Sequence, residues 1–70
     1  MYRKLNKNRR LSLITAFEAG SLTAQEILEL FSNLIGTGVA WNFQGSYGRQ
    51  ARALIDAGYI DENGDILKEA

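Results

Sequence analysis

Cysteine, histidine and proline are all absent from this 70-residue chain. Without Cys there is no disulfide, and without Cys or His there is no thiolate or imidazole ligand for a structural metal. Catalysis by an activated Cys or a His base is excluded by the same absences, and no Lys sits in an apolar context that would activate its amine. No apolar run approaches the roughly 20 residues of a membrane span. The basic opening Met1-Tyr2-Arg3-Lys4 is not followed by the apolar stretch of a secretory signal. The lack of Cys fits a cytoplasmic protein. These absences point to no cofactor, no metal, no membrane and no enzyme.

What is present suits one small globular domain. The hydrophobic share of 46% is too high for a disordered tail. So short a chain buries a modest fraction of its surface. Its stability must come from helix packing, at about 2 kcal/mol per well-buried Leu, Ile or Phe, or from self-association. The net charge of zero conceals an asymmetry. Residues 1–10 hold Arg3, Lys4, Lys7, Arg9 and Arg10 without an acid, while residues 56–70 hold Asp56, Asp61, Glu62, Asp65 and Glu69 against Lys68 alone. A basic head and an acidic tail can pair within one chain, pair between chains, or steer two partners.

The pattern along the chain predicts a mainly α fold: three short helices with a small β-hairpin or short strands. Residues 1–8 read as a basic arm, 9–67 as a single helical domain and 68–70 as a frayed end. The first helix spans about Arg9 to Ala19, with Asn8 as N-cap, Gly20 after its end, and Leu11, Leu13, Ile14 and Phe17 on a broad apolar stripe. Thr23-Ala24-Gln25-Glu26 has capping-box spacing. Ile27, Leu28, Leu30, Phe31, Leu34 and Ile35 follow at helical intervals, which leaves Gln25, Glu29, Ser32 and Asn33 mostly outward. Gly36-Thr37-Gly38 ends that helix. Val39 to Gln44 alternates with period two, as a short strand or extended linker does, which favours Trp41 and Phe43 as core residues; the alternative is an exposed anchor for a partner. Ser46 is a candidate N-cap for a third helix, Tyr47 to Ala57, with Tyr47, Ala51, Leu54 and Ile55 inward. Asn63-Gly64 between Tyr59-Ile60 and Ile66-Leu67 signals the hairpin.

Gln44 to Arg52 breaks local rules. Helix first turns favour acids, yet Arg49 and Arg52 stand here with no acid nearby, and Gly48 costs about 1 kcal/mol relative to Ala. Conflicts of this kind mark function or a compensating tertiary contact. One reading is a partner or anion site built from Trp41, Gln44, Ser46, Tyr47, Arg49 and Arg52. The other is structural: Arg49 and Arg52 pair with the acidic tail, and Gly48 admits another backbone. The structural reading carries more weight because isolated Arg pairs more often serve structure. Arg3, Lys4, Lys7, Arg9 and Arg10 form a second candidate site, for nucleic acid. Three helices followed by a hairpin also match the order of a winged helix. Against it, about ten residues separate helices 2 and 3, where a helix-turn-helix uses three or four.

The stretch Leu34-Ile35-Gly36-Thr37-Gly38-Val39-Ala40-Trp41-Asn42-Phe43-Gln44-Gly45-Ser46-Tyr47-Gly48-Arg49, continuing to Leu54-Ile55-Asp56-Ala57-Gly58, resembles a family of very small uncharacterised bacteriophage-encoded proteins. The resemblance covers roughly residues 23–60 and implies an accessory protein working in a bacterial host cytoplasm. The expectation is a non-enzymatic protein that binds a host protein or itself. The alternative is a winged-helix-like nucleic-acid regulator using the basic arm with Arg49 and Arg52.

Overall fold

A computed structural model describes residues 1–43 and 45–69. Three α-helices, α1 (Lys7–Glu18), α2 (Ala24–Gly36) and α3 (Gly45–Asp56), enclose one core, with a 3₁₀ turn at Val39–Trp41 between α2 and α3. The mainly α expectation holds; no strand forms among the described residues. In place of the expected hairpin there is a single antiparallel bridge, Ile60 with Ile66. The reason lies in the turn. Asp61 Oδ1 accepts from the backbone N–H groups of Asn63 and Asp65, each at 2.9 Å, which satisfies the loop locally and leaves too few residues on either side for a ladder.

α1 begins two residues earlier than the sequence pattern suggests. The cap is Asn6, whose side chain accepts from Arg9 N at 2.7 Å, and Asn8 lies inside the helix. Leu13 is fully buried, but Leu11 is 59% exposed, so the broad apolar stripe divides into an inner edge at Leu13 and Phe17 and an outer one. α2 matches its signature. Thr23 Oγ1 accepts from Glu26 N at 3.1 Å and Glu26 Oε1 accepts from Thr23 N at 3.0 Å, so two orphan N–H groups at the helix start are satisfied reciprocally. Leu28, Leu30, Phe31, Leu34 and Ile35 from this helix, with Leu13, Ala40, Tyr47, Ala51 and Ile60, form the buried core.

Ser32 and Asn33, expected to face outward, are buried. Ser32 Oγ donates to Gly64 O at 2.6 Å and accepts from Arg3 N at 2.7 Å, while Asn33 Nδ2 donates to Arg3 O at 3.1 Å. The basic head is therefore laid against α2 by its backbone, and its amino terminus pairs with Asp65. Gly64 (φ +92°) lies beneath Tyr2, and a Cβ there would stand 2.6 Å from Ser32 O and 2.7 Å from Tyr2 Cβ. A Cβ at Gly36 would run into the Tyr2 ring. The close backbone approach expected at Gly48 occurs at these two positions instead; Gly48 faces open space.

Candidate docking surface

The chain leaves α2 through Gly38, whose φ of +82° is open to glycine and strained for other residues. That reversal winds Val39–Trp41 into a 3₁₀ turn rather than a strand. Ala40 takes the fully buried position, and Trp41 and Phe43 remain 46% and 38% exposed. The favoured core placement is thus corrected in favour of the exposed alternative: a 3₁₀ turn does not alternate inward and outward as a strand does. Both aromatics flank the start of α3. The Arg52 guanidinium lies over the Trp41 ring, 5.7 Å from its centroid, and Phe43 meets Tyr47 edge to face at 4.9 Å.

Tyr47 is the anchor of this region. Its ring is buried against Phe17 and Phe31 at centroid distances of 5.1 and 6.2 Å, and its hydroxyl donates to Glu18 Oε2 at 2.8 Å. Burial, aided by the hydrogen bond to Glu18 and its charge, pushes the phenol up to about 12, because the phenolate would lack water and face an anion. Ile14, Glu18, Asn42, Phe43 and Tyr47 line a cleft of about 340 Å³ between α1 and the start of α3. On the other side of Ile14 lies a second cleft, lined by Leu5, Lys7, Arg10 and Leu11.

The remaining candidates are distributed unevenly. Ser46 lies within α3, one residue past its start, and is exposed; it is not the cap. Gln44 lies outside the described residues. Arg49 is exposed and reaches back along its own helix, its Nη1 standing 3.1 Å from where a Cβ of Gly45 would be. Neither Arg49 nor Arg52 forms an ion pair with the acidic tail among the described residues; Arg52 lies over Trp41 instead. The tail makes other contacts: Lys68 Nζ sits 4.5 Å from the Tyr59 ring centroid, and Glu69 accepts from Gln25 of α2 at 2.7 Å.

Among the basic residues, Arg9 is engaged. Its Nε and Nη2 donate to the two carboxylate oxygens of Glu29 at 3.2 and 3.1 Å, which raises its pKa, with the Glu29 charge acting in the same direction. Glu26 is lowered by the capping hydrogen bonds from Thr23, with a minor contribution from Arg9. Arg3, Lys4, Lys7 and Arg10 have no ion-pair partner among the described residues. No group of His, Cys, Asp and Glu side chains could hold a metal among those residues, and no helix there is long and apolar enough to cross a membrane.

Glu18 was not singled out by the sequence pattern, and Leu11 and Ile14 were read only as members of an apolar stripe. Glu18 is an isolated acid in the last turn of α1, and nothing local distinguishes it. Leu11 did carry a signal: its helical position is well away from that of Leu13, so both cannot face one core.

Residues 8–70 match a domain of unknown function (DUF7417). The chain belongs to that family. The DUF7417 match takes in all three helices apart from Lys7, together with Trp41, Phe43, Tyr47 and Arg52, and it excludes the docked head at Tyr2 and Arg3. It carries neither a phage origin nor the Trp-to-Arg phrase by which residues 34–49 resemble phage-encoded proteins. No curated protein and no solved structure matches the chain.

Proposed function

We propose that this DUF7417 protein is a non-enzymatic accessory protein that works by docking a protein partner at the start of α3. One observation supports this above the others: Trp41 and Phe43 stay about half exposed on a short, glycine-hinged turn, although the chain has only seven aromatic residues with which to build a core. Trp and Arg are the side chains that most often anchor interfaces, and here Arg52 already stacks on Trp41. The setting as a phage accessory protein in bacterial cytoplasm rests on the resemblance over roughly residues 23–60 alone.

Affinity capture from nuclease-treated bacterial lysate tests the reading. The wild-type chain should retain a defined set of proteins that Trp41→Ala with Arg52→Ala loses while its circular dichroism is unchanged. An identical set on both baits would overturn it. A second reading, nucleic-acid binding through Arg3, Lys4, Lys7 and Arg10, is favoured by their freedom from ion pairs among the described residues. It requires capture that disappears with nuclease and weakens steeply with salt.

A further inference from the structure

The cleft between α1 and the start of α3 has walls of a particular chemistry. Phe43 and Tyr47 supply two aromatic rings set edge to face, Ile14 supplies an apolar side, and Glu18 and Asn42 supply the polar rim. Tyr47 donates its hydroxyl to Glu18 Oε2, which orients the carboxylate at the rim of the cleft. Glu18 Oε1 accepts no hydrogen bond among the described residues, and Glu18 is exposed with no cation within ion-pair distance there. Other cations of the chain are engaged elsewhere or line the adjoining cleft. Arg9 is taken by Glu29, Arg52 lies on Trp41, and Lys7 and Arg10 line the adjoining cleft beyond Ile14.

We propose that this cleft is the pocket for a basic side chain, arginine or lysine, of the docked partner. The inference rests on the docking reading above and adds the chemistry of its central contact. The aliphatic stem lies along Ile14, and the cationic head meets the exposed Phe43 ring and the free oxygen of Glu18. Cations are attracted to ring faces within about 6 Å, and a carboxylate in the same cleft selects charge over shape. At about 340 Å³ the cleft falls at the small end of ligand pockets, ample for one side chain and too small for a folded element. The adjoining cleft carries Lys7 and Arg10, so the surface is acidic at one end and basic at the other. A partner presenting like charges in reverse order would be repelled.

The test is a heteronuclear NMR titration of the full chain with three blocked amino acids: N-acetyl-arginine methylamide, its lysine counterpart, and the neutral isostere of arginine, citrulline. Arginine and lysine should give saturable shifts at Ile14, Phe43 and Tyr47, and citrulline should give none at the same concentrations. Glu18→Gln, which keeps an acceptor for the Tyr47 hydroxyl, should weaken the arginine probe by about fivefold, the upper end of what an exposed charge pair supplies. Equal shifts from citrulline, or shifts confined to other surfaces, would overturn the assignment. If Trp41→Ala with Arg52→Ala abolishes capture while Glu18→Gln changes neither capture nor probe binding, the docking reading stands and the basic-side-chain pocket falls.

Discussion

The Tyr47 hydroxyl donates a 2.8 Å hydrogen bond to Glu18 Oε2 and so ties the first turn of α3 to the last turn of α1, 29 residues away in sequence. It joins the aromatic core to the rim of the cleft. Replacing Tyr47 by Phe keeps the ring packing and removes the bond. The expected cost is about 1 kcal/mol, the net worth of a typical intramolecular hydrogen bond, read as a lower denaturation midpoint at an unchanged slope.

The same pair sets a pH dependence. Tyr47 titrates near 12 in the folded chain, against about 10 when unfolded. Between those values the unfolded state releases a proton that the folded state keeps. The stabilisation is therefore complete below about pH 10 and is lost as pH rises toward 12. A phenolate absorbance titration should show a late step that Tyr47→Phe removes. A wild-type chain with no such late step would refute the burial of Tyr47.

Gly48 and Gly64 should respond to alanine in opposite directions. Gly48 sits inside α3 with open space around it and an ordinary helical φ. Alanine there should stabilise by about 1 kcal/mol, a rise in Tm of about 4–8 °C for a domain of this size. Gly64 combines a φ of +92° with three heavy atoms within 2.8 Å of any Cβ, two of them backbone. Gly64→Ala should cost about 3 kcal/mol through strain and overpacking. A Gly48→Ala protein that melts lower would mean that the helix uses this glycine in a way its surroundings do not explain.

Local signals in the sequence reached all three helices, α2 most closely, and fell short at the links between them. The Thr23–Glu26 capping box and the spacing from Ile27 to Ile35 are decided within one helix, and the helix forms there. The Trp41 and Phe43 environment was misread because period two over six residues does not separate a strand from a 3₁₀ turn. The deciding residue is Gly38, whose positive φ redirects the chain. Ser32 and Asn33 look like outward polar positions, and they are buried because the Arg3 backbone, about 30 residues upstream, supplies their hydrogen bonds. Of the candidate site, the Gln44-to-Arg52 segment was legible as a break in helix-end electrostatics. Glu18 was not, since its significance comes wholly from Tyr47 across the fold.

The clamp on the head should be unequal between its two members. Ser32→Ala removes a group that both donates to Gly64 O and accepts from Arg3 N, leaving two backbone groups without partners at a cost of about 2 kcal/mol. Asn33 makes one bond to Arg3 O while its Oδ1 is buried without a partner. Asn33→Ala loses that bond but also relieves an unsatisfied acceptor, so it should cost less than Ser32→Ala. Chemical denaturation of both variants checks the order, and the reverse order would count against the clamp.

Trp41 is the only tryptophan in the chain, so its fluorescence reports on the docking surface directly. With 46% of the residue exposed, native emission should be red-shifted and readily quenched by iodide, unlike that of a core indole. Trp41→Ala forfeits the stacking of Arg52, which at an exposed site is worth about 0.5–1 kcal/mol. The variant should stay folded, whereas truncating a core aromatic costs about 3–5 kcal/mol; Phe31→Ala provides that comparison, since Phe31 is fully buried. Blue-shifted, unquenchable native emission together with unfolding of Trp41→Ala would return this residue to the core and remove the basis for docking. Emission that starts red and moves to the blue when a captured partner is added would place the indole in the interface.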